Sequence, residues 1–126
     1  MPVIFEWSSK ELLHVKYCGV LSGEEAVDAS IRMSSDQRFD DLRAIVVDTL
    51  AITENTAKPE DVESLISLSR IMSNTNPRIR NALVLNNDEN TEALAALYTF
   101  FAQDLVWDVK MFHKLNEAKA WALAAN

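Results

Sequence analysis

The chain has 126 residues, 48% of them hydrophobic and 25% charged, and a net charge of −7 from 19 acidic and 12 basic side chains. That length fits one domain, 1–126, which can bury roughly 65–70% of its unfolded surface without staples. The acidic balance disfavours nucleic acid and anionic membrane surfaces as partners, and a single cysteine, Cys18, excludes an internal disulfide. No apolar run approaches the ~20 residues of a membrane span. The start, MPVIFEWSSK, lacks the pattern of a signal peptide, so a cytoplasmic protein without membrane insertion is expected.

Val3 to Trp7 reads as a short strand, and Leu12 to Val20, rich in β-formers, as a second. The polar turn SSKE between them predicts a hairpin. Ser22 opens a helix to about Ser34, because its hydroxyl suits the free amide of Glu25 while Glu25 reaches back. Ala26, Val27, Ala29, Ile31 and Met33 are expected to face inward. In the polar loop that follows, Phe39 is expected to plug the loop onto the core. Arg43 to Thr49, RAIVVDT, reads as a strand buried on both faces, followed by a loop, AITENTAK. Pro59 suits the first turn of a helix whose apolar face is Val62, Leu65, Ile66, Ser69 and Met72. NALVL, Asn81 to Leu85, is the next strand, and Thr91 to about Leu105 the third helix. Val109 to Phe112 is the last strand. Asn116 is the expected cap of a last helix that carries Trp121 as a core residue. After the hairpin, the alternation of helices and strands predicts an α/β fold, with a largely parallel sheet covered by helices and right-handed crossovers.

Sheets of this kind bind ligands beyond the carboxyl ends of their strands. Here those ends gather Asp48, Thr53, Glu54, Asn55 and Thr56 from one loop, and Asn87, Asp88 and His113 from two others. This acidic, amide-rich rim is a candidate interaction or regulatory surface. The third helix, TEALAALYTFFAQDL, has an apolar arc wider than one core contact requires. Tyr98, Phe100, Phe101 and Trp107 are the candidate wall of an apolar pocket or a dimer face. Phe112 is expected to join that wall.

Catalytic motifs are missing. With two glycines, Gly19 and Gly23, no phosphate-cradling glycine loop can form, and no GxSxG turn occurs. His14 and Cys18 share a strand face but lie ~13 Å apart, too far for a nucleophile and its base. Two histidines and one cysteine without metal-binding spacing make a metal site unexpected. No cofactor and no enzymatic activity are expected.

The LSGEE helix start, the stretch DQRFDDLRAIVVD, KPEDVESL and the closing MFHKLNEAKAW follow one another in an order that resembles the SpoIIAA-like group, relatives of STAS domains. The resemblance runs from about Gly19 to Trp121. It implies a right-handed superhelix of β-α units around a mostly parallel, mixed sheet of about five strands, with the N-terminal hairpin and four helices. STAS anti-sigma-factor antagonists carry a DSSG-type phosphorylation motif where this chain has DTLAITENTAKP, Asp48 to Pro59. That stretch has neither Ser nor Gly, so only Thr53 or Thr56 could stand in. The group also resembles CRAL-TRIO lipid-carrier domains. The resemblance implies a non-enzymatic signalling or interaction module, with another protein or a second copy (a homodimer) as partner. The alternative is a carrier of a small apolar or amphipathic ligand, held in a pocket walled by the third helix.

Overall fold

β1 (Val3–Trp7) and β2 (Leu12–Leu21) pair antiparallel, forming the hairpin that the SSKE turn predicts. The computed structural model describes residues 3–124. After the hairpin come α1 (Gly23–Ser34), β3 (Ala44–Asn55), α2 (Pro59–Thr75), β4 (Arg80–Val84), α3 (Glu89–Phe101), β5 (Asp108–Phe112) and α4 (Leu115–Leu123). The strands lie in sequence order, β1-β2-β3-β4-β5, and every pair from β2 onward is parallel. The largely parallel, helix-covered sheet expected from the alternation is observed, as are the five strands, mixed pairing and four helices that the resemblance implies.

Side chains alternate across a strand, so each strand feeds two layers. Leu13, Val15 and Ile45 pack with Ala29, Met33 and Met72 under the α1–α2 layer. Leu12, Ala44, Val46, Ala82 and Val84 pack with Ala118 and Ala122 of α4 on the other face. Two covered faces explain the unbroken apolar run of β3.

Local signals place the helix starts. Ser22 and Glu25 form the full capping box, and Pro59 stands in the first turn of α2. A Cβ at Gly23 would collide with the carboxyl group of Asp61, which would have to move aside. Phe39, 2% exposed, plugs the core from a short 3-10 helix, Gln37–Asp41. The side chain of Asn76 holds this segment from below. Its Nδ2 donates to Phe39 O and Leu42 O, both at 2.9 Å. The carbonyl of Asn76 accepts the indole N–H of buried Trp107 at 2.7 Å.

Several expectations are corrected. The segment after Thr49 is not a loop. β3 leaves β4 at the Asp48–Val84 pair and continues to Asn55 against β2 alone. The β2 half of this two-stranded ribbon shifts register twice and passes through Gly19, at φ +69°, a conformation that suits glycine. Buried Ile52 anchors the other half. Ile31 is 47% exposed, because it sits two residues, about 200° of helix, from both Ala29 and Met33. α3 ends at Phe101 and tightens into a 3-10 turn, Ala102–Asp104. Lys114, not Asn116, precedes α4, since Leu115 already packs beside Phe112 and Trp121. Trp121 is half-buried. Its ring lies 5.7 Å from Phe112 and beneath the Arg80 guanidinium, which holds it at the margin of the core.

Candidate functional site: a cavity beneath the second helix

α2 takes its closest backbone neighbours from α1 and α3 rather than from the strands it covers. Standing off the sheet, it leaves a cavity of about 150 Å³ beneath it. Val15, Ile45, Val47 and Leu83 form the strand side, and Met33, Val62, Leu65 and Leu94 the helix side. A volume of this order admits a benzene-sized molecule.

The two ends differ. One lies at the carboxyl edge of the sheet, where Leu21, Asn55, Ala57, Asp61 and Thr91 form the margin. Hydrogen bonds pin this margin. Asn55 Nδ2 donates to Thr91 Oγ1 at 3.2 Å, and Asn55 Oδ1 accepts from Ala57 N at 3.0 Å. Asn90 Nδ2 donates to Asn55 O at 2.7 Å, and Thr56 N donates to Leu21 O at 2.8 Å.

The inner end holds a polar cluster. Ser69 Oγ and the Tyr98 hydroxyl are 2.7 Å apart, and Asn81 Nδ2 donates to that hydroxyl at 3.4 Å. Asn81 is 5% exposed, and its Oδ1 has no hydrogen-bond partner among the described residues. Tyr17 also lines the cavity, and its hydroxyl has no partner among the described residues. Burial raises the pKa of both phenols above the ordinary 10.0, with the bonds from Ser69 and Asn81 opposing the shift at Tyr98.

On the cavity side of the sheet, the starts of α1, α2 and α3 face the carboxyl edge, where a free helix end would attract an anion. Each is already met by a carboxylate of its own chain. Glu25 accepts from Ser22 N at 3.2 Å, Asp61 from Lys58 N at 2.8 Å and Asp88 from Thr91 N at 2.9 Å. Among the described residues, the cavity lining includes Asp61 but no Lys, Arg or His.

The residues singled out in the sequence separate into several places. Thr53, Glu54, Thr56 and Asn87 are exposed at the carboxyl edge, Asn55 is half-buried in the cavity margin, and Asp88 caps α3. His113 is exposed and paired with Glu92. Asp48 does not join this rim. It is 2% exposed on the α4 face, where its Oδ2 lies 2.8 Å from His14 Nε2 and its Oδ1 accepts from Leu50 N at 2.9 Å. Alternation along β3 dictates this, since Asp48 shares parity with Ala44 and Val46. Glu6 completes the cluster, 3.5 Å from His14 Nδ1.

The aromatic set divides too. Tyr98 and Trp107 line the cavity, whereas Phe100 and Phe101 lie outside, 64% and 37% exposed, in an edge-to-face pair. Phe112 packs on the α4 face with Trp121 and is no part of the wall. Sequence reasoning missed Asn81 and the polar role of Ser69. The available signal was a polar side chain at the head of the apolar run NALVL.

Among the described residues, no cluster of three or more His, Cys, Asp or Glu could hold a metal ion. None of their helices is long and apolar enough to cross a membrane. No protein-family model matches the sequence, and no curated protein does. A solved structure does match: an uncharacterised protein of the DUF3478 family, with a SpoIIAA-like fold, from Shewanella loihica PV-4. The similarity covers 95% of this chain and 91% of that one, with a TM-score of 0.53 and 14% sequence identity. At that identity the likeness is one of architecture, and it agrees with the strand order and helix layers described above: the chain has a SpoIIAA-like fold.

Proposed function

We propose that this domain binds a small apolar or amphipathic molecule in the cavity beneath α2, and acts as a carrier or sensor of it without transforming it. The observation that carries the reading is the cavity itself. A gap of about 150 Å³ lined by aliphatic side chains forfeits packing that a filled core would have, and a bound molecule would restore it. The lining also argues for binding over chemistry. Its carboxylate, Asp61, is committed to the α2 start, and among the described lining residues there is no His, Lys or Cys to act as base or nucleophile.

The test is a titration of the protein, methyl-labelled at Leu, Val and Ala, with toluene. Saturable shifts concentrated at Val15, Leu65, Leu83 and Leu94 are expected. Shifts that are absent, or scattered over the surface without saturation, refute the proposal. A second reading, contact with another protein or a second copy, draws on the joint exposure of Phe100 and Phe101. It predicts a concentration-dependent rise in sedimentation coefficient or capture of a partner by that face.

A further inference from the structure

We infer that the cavity selects a neutral ligand carrying a hydrogen-bond donor, a hydroxyl or N–H on an apolar body of about one aromatic ring, which it binds through Asn81 Oδ1. This rests on the cavity-binding reading above and specifies the ligand class. A buried polar atom without a partner is uncommon in native proteins and costs free energy unless something meets it. Asn81 Oδ1 is such an atom, on a side chain that is 5% exposed and lines the cavity. Its own amide group points the donor elsewhere: Nδ2 is directed to the Tyr98 hydroxyl, which in turn meets Ser69. The Ser69 and Tyr98 hydroxyls are bonded to each other, and Asn81 Oδ1 is left without a partner among the described residues of this cluster; the unpartnered Tyr17 hydroxyl belongs to β2, outside it. An unmet acceptor at the inner end of a mostly apolar slot rewards a donor and gives nothing to a hydrocarbon.

Charge narrows the class further. Among the described residues, no cationic side chain lines the cavity, and the lining carboxylate, Asp61, stands at its margin. The nearby helix starts are occupied by Glu25, Asp61 and Asp88. A carboxylate or phosphate would lose its hydration and find no counter-charge. The net charge of −7 opposes its approach as well. A neutral phenol, indole-like N–H or short alcohol meets neither obstacle.

The experiment compares three probes of nearly equal size: phenol, which donates; benzaldehyde, which only accepts; and toluene, which does neither. Benzoate serves as the anionic control. Binding is followed by methyl and Trp107 indole resonances in wild type and in Asn81→Leu, which keeps the volume and removes the acceptor. Phenol is expected to bind wild type more tightly than benzaldehyde, and benzoate not to bind. The phenol-to-toluene affinity ratio should fall by about tenfold in Asn81→Leu. Toluene binding should persist or improve in the variant. The wild-type comparison of phenol with benzaldehyde decides the matter even if the variant fails to fold. If toluene binds saturably but phenol and benzaldehyde bind wild type equally, or the ratio is unchanged in the variant, the donor-selective reading is overturned while cavity binding stands. If no probe binds wild type, both are overturned.

Discussion

Asn76→Ala should be among the most damaging single changes in a polar side chain of this protein. The side chain bridges segments more than 30 residues apart, giving one N–H to Phe39 O and one to Leu42 O, each at 2.9 Å. Truncation affects the two carbonyls unequally. Phe39 O keeps a second donor, Leu42 N at 3.2 Å. Leu42 O has no other partner among the described residues, in a site where Leu42 itself is 0% exposed. The full penalty for an unmet buried acceptor is about 1–3 kcal/mol, and losing one of two donors adds about 1 kcal/mol. The expected loss is therefore about 2–4 kcal/mol, a large share of a typical 5–15 kcal/mol. Urea unfolding at fixed m-value measures it. Asn76→Asp should cost at least as much, since a carboxylate cannot donate to either carbonyl. Asn74→Ala, at an exposed position two residues earlier, should stay within about 0.5 kcal/mol. The Asn76 carbonyl survives truncation, so Trp107 should keep its indole bond and its fluorescence. A loss below about 1 kcal/mol in Asn76→Ala would refute the reasoning.

Three further outcomes are expected. Gly23→Ala should push the Asp61 carboxyl off Lys58 N, costing about 1–2 kcal/mol, and the penalty should vanish in an Asp61→Ala background, as a double-mutant cycle would show. Burial raises the Tyr17 phenol above the ordinary 10.0, so the unfolded chain releases this proton first. The stability it contributes is complete below about pH 10 and is lost as pH rises beyond that; Tyr17→Phe should reduce the alkaline loss in urea midpoints and, because the hydroxyl has no partner among the described residues, leave neutral stability unchanged. Phe100→Glu should change stability by less than about 0.5 kcal/mol, since the ring is 64% exposed, and should reduce any self-association seen in sedimentation.

What was legible in the sequence was local. The capping box at Ser22 and Glu25, Pro59 in the first turn of α2 and the hairpin around SSKE each depend on residues within a few positions. Phe39 was legible because a lone large aromatic in a polar loop has few places to go but inward. The parallel sheet followed from alternation alone. The misplacements were set by distant partners. The turn-rich NTNP gave no sign that Asn76 would hold Phe39 and Leu42. Asp48 looked like the end of a strand because its role depends on His14, 34 residues earlier. The ribbon beyond Thr49 depends on how far β2 extends, which the β3 sequence does not encode. The candidate pocket was half legible: Tyr98 and Trp107 stood out as aromatics, but the gap arises from how far α2 stands off the strands.

The simple strand order has a consequence for how copies of this chain meet. An open sheet ends in two rows of unpaired backbone groups, each a template for another strand and so for chain-on-chain growth. Here both terminal strands are only five residues long. β5 carries exposed Asp108 and Lys110, and β1 carries exposed Glu6. An added strand would gain few backbone bonds and crowd charges that now sit in water. Sheet extension is thus discouraged along β1 and β5. By this reasoning a contact between copies would fall to helix surfaces such as the one bearing exposed Phe100 and Phe101, where an interface could close on itself as a pair instead of propagating as a fibre.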